Sequence, residues 1–357
     1  MNTFKKYLIT IGLIFVTALA LAHDASAATK TWNAAGGGLF SEGGNWTGGV
    51  PGPGDVAQFQ SNTGTVAFNS DATTNSLWLL HLTSPGHFDV TFDLDGHEYS
   101  VGSAHLGYQI GCCHAVAADL SVKNGLLQVN GDMVTWFSSS LYVTDGGKVT
   151  VTDTLRTGIG NQLTSGVIEV SGAGSEMSVV GSASFGDSAY QNVTVSDQAS
   201  LNTTFADFDG GGPSLITLFE LTGSGSTWNN TGDTRISSYG SVLVTDGAIA
   251  TIGGTTELGW DGFLTVESGS YTTAGLNLTI SSGGDGVLSH TGGTLTVDGG
   301  VFTPVALHTT DGADAVPPPS FNSSTEPPRS LPPDISSETK ITAPWKSPVA
   351  RPWNRPA

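Results

Sequence analysis

The stretch of sequence that decides the fold is Val242-Leu243-Val244-Thr245-Asp246-Gly247-Ala248, an alternating apolar run that leads into an Asp-Gly turn. Its apolar residues are two positions apart, so they point to the same face of a β-strand. Glycine suits the turn because it accepts a positive φ without steric cost. The segment is therefore a strand followed by a turn, and it is too short to bury its own apolar face.

The same turn signal returns through the middle of the chain with a nearly constant spacing. A fixed period of this kind, about two dozen residues, indicates one structural unit stacked on copies of itself. We therefore predict an all-β fold, a parallel β-helix or β-solenoid with an expected right-handed sense. The anchors of the repeat are Asn124-Gly125, Asp145-Gly146, Ser171-Gly172, Asp197-Gln198, Thr222-Gly223, Asp246-Gly247, Ser268-Gly269 and Thr291-Gly292.

A longer period is superimposed on the short one. The segment Ser171-Gly172-Ala173-Gly174-Ser175 returns in similar form, two anchors later, as Thr222-Gly223-Ser224-Gly225-Ser226. This spacing equals two coils, so the sequence predicts that the repeating unit is a pair of coils. The predicted solenoid extends over residues 63–305.

The start of the chain differs from the repeats. Residues 1–27 combine Lys5 and Lys6, an apolar run and the small-x-small site Ala25-Ser26-Ala27, which is typical of a secretory signal peptide. Residues 28–62 contain Trp32 and Trp46, and we predict that they form an N-terminal Trp- and Gly-rich cap over the open end of the stack. The alternative for these rings is an exposed platform that stacks on carbohydrate.

The end of the chain differs as well. Residues 306–357 hold most of the 16 prolines. Proline removes the donors of a β-ladder, so the solenoid cannot continue, and we expect a disordered tail. After the N-terminal signal, no segment of the sequence is apolar enough to cross a bilayer.

The charge balance excludes one class of partner. The chain has 31 acidic and 12 basic residues, a formal net charge of −19. Nucleic-acid binding requires a basic surface that displaces counterions from phosphates, so it is excluded. Anionic polysaccharide would also be repelled, unless a divalent cation bridged it to the protein.

Two acidic rows are the candidates for chemistry. Asp89, Asp93 and Asp95 lie on the polar face of an alternating strand whose other face is apolar. Asp207 and Asp209 share one face of a second predicted strand. Either row offers carboxylates for a divalent cation such as calcium, or for acid and base catalysis. The simpler interpretation, which we prefer, is the solvent face of amphipathic strands.

The remaining reactive residues give no recognisable site. Cys112 and Cys113 are adjacent and precede His114, but no second ligand pair occurs at zinc spacing. A disulfide between neighbours would be strained, which favours free or intermolecular thiols. The eight histidines are scattered, and His81, His87, His97 and His105 fit no ligand spacing. From the sequence we therefore assign no catalytic, cofactor-binding or metal-binding residue, and no cofactor.

The order of the repeat elements resembles that of a known group of bacterial exoproteins. Leu221-Thr222-Gly223-Ser224-Gly225-Ser226-Thr227-Trp228, then Thr234-Arg235-Ile236-Ser237, then Val242–Ala248 are similar to the repeat shared by type V autotransporter passengers and PEP-CTERM-sorted proteins. The resemblance implies a β-solenoid that is secreted or displayed on the outer surface of a Gram-negative-type bacterium. It implies a non-catalytic adhesive or structural role, with cell-surface glycans or other copies of the chain as partners.

An enzyme is the alternative function. Some β-helix proteins are polysaccharide lyases or glycoside hydrolases, which use a basic residue beside acids or a pair of carboxylates. Arg156 and Arg235 are the only arginines of the predicted repeats, and neither lies in a recognisable catalytic motif. There is no Gly-x-Ser-x-Gly or His-Glu-x-x-His sequence.

Overall fold

In a computed structural model, the protein is described over residues 27–61, 64–80, 87–110, 114–136, 138–159, 165–186, 190–210, 215–259, 261–278, 280–281, 284–290, 294–297 and 302–304. The predicted signal peptide, apart from its last residue, lies outside this part of the chain. So do the tail at 306–357, His81, the cysteines Cys112 and Cys113, and the last turn anchor, Thr291-Gly292.

The described residues form strands throughout, with a single 3-10 turn at Gly43–Asn45. The first strands are β1 (Thr29–Thr31), β2 (Gly38–Leu39), β3 (Val56–Phe59), β4 (Gly64–Ala67), β5 (Ala72–Leu79), β6 (His87–Asp93), β7 (Glu98–Leu106), β8 (Tyr108–Ile110), β9 (His114–Lys123) and β10 (Leu126–Val129). The next are β11 (Met133–Trp136), β12 (Ser140–Thr144), β13 (Lys148–Val151), β14 (Leu155–Ile159), β15 (Ser165–Ser171), β16 (Glu176–Phe185), β17 (Tyr190–Ser196), β18 (Ser200–Asp209), β19 (Thr217–Leu221) and β20 (Thr227–Asn230). The last are β21 (Thr234–Ser237), β22 (Gly240–Val244), β23 (Ile249–Leu258), β24 (Phe263–Val266), β25 (Ser270–Leu278), β26 (Ile280–Ser281), β27 (Gly284–Asp285), β28 (Val287–His290), β29 (Thr294–Val297) and β30 (Phe302–Pro304).

The strands make two long sheets, and successive coils of the chain contribute neighbouring strands to each. The first sheet has 16 strands: its main path is β1-β3-β5-β7-β10-β13-β16-β18-β20-β23-β25-β29, and β11, β14, β21 and β30 pair beside this path. The second sheet has 12: its main path is β2-β4-β6-β9-β12-β15-β17-β19-β22-β24-β28, and β8 pairs with β9. Neighbours along both paths are parallel; β8 with β9 and β26 with β27 form short antiparallel pairs. The predicted parallel β-solenoid is therefore confirmed.

The register of the second sheet reproduces the period seen in the sequence. Val122 pairs with Val143, Val143 with Val170, and Val170 with Val195, so each step is close to the spacing of the turn anchors. One early coil is longer, and it carries the chain from Phe92 to its partner Val122. The longer coil includes β8, which pairs antiparallel with the first residues of β9 outside the parallel ladder, so the register of the core is kept.

Each inward position stacks on its equivalent in the next coil. In the first sheet one buried row runs through Tyr99, Leu127, Val149, Met177, Leu201, Trp228, Ala250 and Tyr271. Large and small side chains complement each other: Ala250 separates Trp228 from Tyr271, and the two rings meet across it with centroids 6.4 Å apart. Neighbouring coils thus cover the apolar face that a single coil leaves open.

The first coil carries an aromatic cluster. Trp32 packs edge-on against Trp46 with ring centroids 5.0 Å apart, and Trp46 contacts Phe40 and Phe59 at 5.0 and 5.4 Å. The indole N–H of Trp46 donates to the carbonyl of Phe40 at 2.8 Å. Both indoles are buried, at 4% and 3% exposure, so neither ring presents an open face to solvent.

Candidate functional site

The predicted acidic residues Asp89, Asp93 and Asp95, on and just after β6, lie in three different environments. Asp89 is exposed and lies in register with Asp119 of the next coil. Asp93 lies 3.9 Å from Nζ of Lys123 in an ion pair. Asp95 takes a φ of 46° within the turn that leaves the sheet. The three predicted candidates therefore share one side of the solenoid without forming a single site.

Asp89 instead belongs to a cluster that includes a histidine. Nε2 of His87 lies 2.8 Å from Oδ2 of Asp119 and 3.4 Å from Oδ1 of Asp89. One ligand atom from each of the three side chains lies within 4.8 Å of the others. Because an ionised carboxylate only accepts, Nε2 of His87 donates the hydrogen bond to Asp119.

The backbone explains why these three side chains meet. His87 and Asp89 are two residues apart on β6 and therefore point to the same outer face. The parallel register then places Asp119, on β9, beside Asp89. Oδ1 of Asp119 accepts the backbone N–H of Ser140 at 3.0 Å, which fixes the carboxylate from the following coil.

Sequence reasoning misses His87 and Asp119. His87 is one of several scattered histidines, and it has no ligand partner at a recognisable spacing along the chain. The coil that carries the chain from Asp89 to Asp119 is longer than the later coils of the same sheet, so the period of the repeats does not align the two acids. The sequence feature that could have found this pairing is the alternating segment 117–123. It aligns with segment 87–93 if the coil between them is taken to be longer than the others.

The second acidic pair is confirmed as the outer face of a strand. Asp207 and Asp209 both point outward from β18, while Phe208 between them is fully buried. Oδ2 of Asp207 lies 3.9 Å from a guanidinium nitrogen of Arg235 in the next coil. Glu257 follows in register beside Arg235, so an acid, a base and an acid stand in successive coils.

An open groove accompanies this charged row. It encloses about 370 Å³, and Phe205, half-exposed Arg235, Glu257 and Asn277 line it together with Asp233, Thr234 and Thr255. Its lining combines an aromatic ring with amide, carboxylate and guanidinium groups.

A further feature of the outer surface is a straight row of uncharged polar side chains on the first sheet, which we call the polar ladder. It consists of Thr73, Ser100, Gln128, Thr150, Ser178, Asn202, Asn229, Thr251, Thr272 and Thr296. All ten are exposed or half-buried. Nδ2 of Asn202 donates to Ser178 at 3.2 Å, and Nδ2 of Asn229 donates to Oδ1 of Asn202 at 3.2 Å.

Comparison with known proteins does not assign the chain to a group. No family model, curated protein or solved structure matches the sequence or the fold. Within the described ranges, the structure contains no helix with the length and apolar character needed to span a bilayer. The similarity to autotransporter passengers and PEP-CTERM-sorted proteins accordingly stays a prediction from sequence.

Proposed function

We propose that the protein is a secreted, non-catalytic surface or matrix protein whose first sheet contacts neutral glycan chains. The observation that carries this proposal is the polar ladder. Its ten positions stand about 4.8 Å apart, so the row extends over roughly 43 Å. A row of hydroxyl and amide groups at regular spacing complements a polymer that also presents hydroxyl groups at regular spacing.

The charge distribution supports a neutral partner. The chain carries a net charge of −19, but no member of the polar ladder is charged. Ser178 and Asn202 also donate to Oε1 of neighbouring Glu176, at 3.0 and 2.8 Å, and their oxygens keep acceptor capacity for a further donor. A neutral glycan can therefore bind along this face without the repulsion that an anionic polymer would meet.

The architecture supports a structural role. The strands of each sheet are paired on both sides through the body of the solenoid, which leaves few backbone groups open to proteases. Together with the predicted signal peptide and the repeat resemblance, this favours a rod displayed outside the cell that adheres to polysaccharide. Association with other copies of the chain is the competing outcome, and ultracentrifugation of the protein alone distinguishes it.

Depletion of the protein from solution by insoluble cellulose, chitin or xylan tests the proposal. We expect the double variant Asn202→Ala/Asn229→Ala to bind about tenfold more weakly, because two hydrogen-bonding groups are worth roughly 1.4 kcal/mol together. The matched control is Thr194→Ala/Thr265→Ala, which removes outward polar groups from the second sheet. Equal binding by both variants, or no binding to any polymer, contradicts the proposal.

The alternative is a polysaccharide lyase or glycoside hydrolase, and one observation favours it. Asp207 and Glu257 stand on either side of Arg235 in successive coils, Arg235 and Glu257 line the groove, and two coil steps separate the Cα atoms of the two acids by roughly 9.6 Å. Inverting glycosidases hold their two carboxyl groups about 6.5–9.5 Å apart. Release of reducing or unsaturated ends from a polysaccharide panel with calcium, lost in Arg235→Gln and Asp207→Asn, would replace the non-catalytic proposal with this one.

A further inference from the structure

We propose that His87, Asp89 and Asp119 bind a divalent transition-metal ion of the zinc type on the outer face of the second sheet. The three side chains come from two neighbouring coils and direct one nitrogen and two carboxylate oxygens to a common point. This site is independent of the polar ladder, which lies on the first sheet.

The distances fit a small ion. Zinc bound at about 2.0–2.2 Å by nitrogen and oxygen in a tetrahedron separates its ligand atoms by roughly 3.4 Å. Nε2 of His87 lies 3.4 Å from Oδ1 of Asp89 and 2.8 Å from Oδ2 of Asp119. Small rotations of His87 and Asp89, which are exposed side chains, bring all three atoms to these separations.

The charge of the cluster fits a divalent cation. Two carboxylates supply two negative charges, and neutral His87 supplies Nε2 as a ligand when the proton that Nε2 donates to Asp119 in the metal-free protein moves to Nδ1 or is released. Without an ion the two acids repel each other across a separation of at most 4.8 Å. The chain as a whole is strongly acidic, which raises the local concentration of cations.

The ligand types select among cations. Calcium prefers six to eight oxygen ligands, and magnesium keeps several waters with one or two carboxylates. An imidazole with two carboxylates is a typical set for zinc and related metals. Three protein ligands leave at least one coordination position for water or for an oxygen or nitrogen of a partner molecule.

The scaffold fixes the backbone of all three ligands. β6 is paired on one side with β4 and on the other with β9, and β9 is paired in turn with β12. The backbone N–H of Ser140 binds the second oxygen of Asp119, as outer-shell donors do for metal-ligating carboxylates. Little ordering of the backbone is therefore needed when the ion binds.

Titration of the mature, metal-stripped protein with zinc in a calorimeter tests the site. We expect one ion to bind at this cluster, with affinity reduced more than about 100-fold in His87→Ala, since loss of an outer-shell partner alone costs 10–100-fold. Asp119→Asn, which keeps the acceptor for the N–H of Ser140, should weaken binding similarly. Circular dichroism confirms that these variants remain folded.

His97 provides the matched control. It lies 3.4 Å from a single carboxylate, that of Asp71, so it has one acidic neighbour where His87 has two. A hydrogen bond from the backbone N–H of Glu98 lowers the pKa of Asp71, which shows that this carboxylate already has a donor. His97→Ala should leave zinc binding unchanged, and an equal loss in this variant would overturn the proposal.

Cobalt distinguishes the cluster from the cysteines. Cobalt bound by His87, Asp89 and Asp119 should show visible absorption bands without the near-ultraviolet band that thiolate ligands produce. Binding should persist in Cys112→Ser/Cys113→Ser. A thiolate band, or zinc binding that is lost in the cysteine variant and kept in His87→Ala, would overturn the proposal, as would the absence of binding.

Discussion

Asn230 shows how one side chain fixes the bend in the first sheet. It is the buried last residue of β20, where the chain changes direction before β21. Its Nδ2 donates to the carbonyls of Gly232 and Asp233 at 3.0 and 2.8 Å, while its Oδ1 accepts from the hydroxyl of Thr203 at 3.1 Å. Nδ2 also donates to the buried hydroxyl of Thr234 at 2.8 Å, so the amide joins β20 to the start of β21 and to Thr203 of the preceding coil.

Replacement of Asn230 by alanine should be costly. We expect Asn230→Ala to lower the free energy of unfolding by about 3 kcal/mol, because it removes a buried amide with several hydrogen bonds and leaves the buried hydroxyl of Thr203 without its acceptor. Denaturation in urea measures the change. The neighbouring Asn229→Ala, on the exposed face, should cost less than about 0.5 kcal/mol; similar costs for both would show that the network does not hold the bend.

Two tyrosines inside the core make stability depend on alkaline pH. Tyr99 and Tyr271 are fully buried, and their hydroxyls lie 2.9 Å from Thr74 and 2.8 Å from Thr256. Burial raises the pKa of both phenols far above the ordinary value of about 10. Only the neutral phenol fits the core.

The sign of the pH dependence follows from this shift. The folded-state pKa exceeds the unfolded value, so the stabilisation is complete below about pH 10 and is lost as the pH rises above it. Absorbance of tyrosinate should therefore show Tyr99 and Tyr271 ionising only when the protein unfolds. In Tyr99→Phe/Tyr271→Phe this delayed step should disappear. Ionisation of all tyrosines before unfolding would contradict the expectation.

At the scale of elements, a serine ties each of three turns to a neighbouring coil. Ser226 is buried, and its Oγ accepts the backbone N–H of Gln198 at 3.1 Å. The same contact joins Ser175 to Gly146 at 3.1 Å and Ser268 to Asp246 at 2.8 Å. These turns alternate with Asp-type turns, which gives the predicted two-coil unit a physical basis.

Loss of the serine should loosen one junction between coils. We expect Ser226→Ala to destabilise the protein by about 2 kcal/mol, because the N–H of Gln198 loses its acceptor in a partly buried turn. Ser224→Ala, two residues away and exposed, is the control and should be near neutral. Thermal unfolding compares them, and equal melting temperatures would show that the contact is dispensable.

A close approach of backbones explains a second glycine of the Asp145 turn. Gly146 has a φ of 72°, which favours glycine for its conformational freedom. Gly147 has no such φ, but a Cβ there would overlap the carbonyl oxygen of Val122 in the preceding coil. Turn geometry accounts for Gly146. Gly147 is required because the neighbouring coil leaves no room for a side chain.

The molecule is a linear stack of coils, so a destabilising substitution at one end should lower the stability of the neighbouring coils only. Trp46 is packed among Trp32, Phe40 and Phe59 in the first coil. In a linear array each coil contacts its neighbours, and stability is the sum of local terms. Hydrogen exchange can therefore separate a local loss from a global one.

We expect Trp46→Ala to cost about 3–5 kcal/mol, concentrated in the first coils. Amide protection should fall in β1, β3 and β5 and stay unchanged in β16, β18 and β23. Phe185→Ala, which opens a similar cavity in the middle of the stack, is the comparison and should lower protection around β16. Uniform loss of protection in Trp46→Ala would show that the solenoid unfolds as one cooperative unit.

The class of fold and the period of the coils could be predicted from the order of residues alone. Alternation in segments such as 242–248 and the recurring turns are local properties, set by strand geometry and by the residues that accept a positive φ. These local patterns also assigned faces: Phe88 and Phe92 point inward, and Asp207 and Asp209 point outward, as predicted.

Which outward residues become neighbours could be seen only once the coils were stacked. Contacts between coils depend on register, and register depends on the length of every connection, which is short between Val122 and Val143 and long between Phe92 and Val122. One unrecognised long coil hid the pairing of Asp89 with Asp119, and with it the cluster at His87. The turn serines and the amide of Asn230 were hidden for a related reason, because each binds a group in another coil that stacking alone brings close.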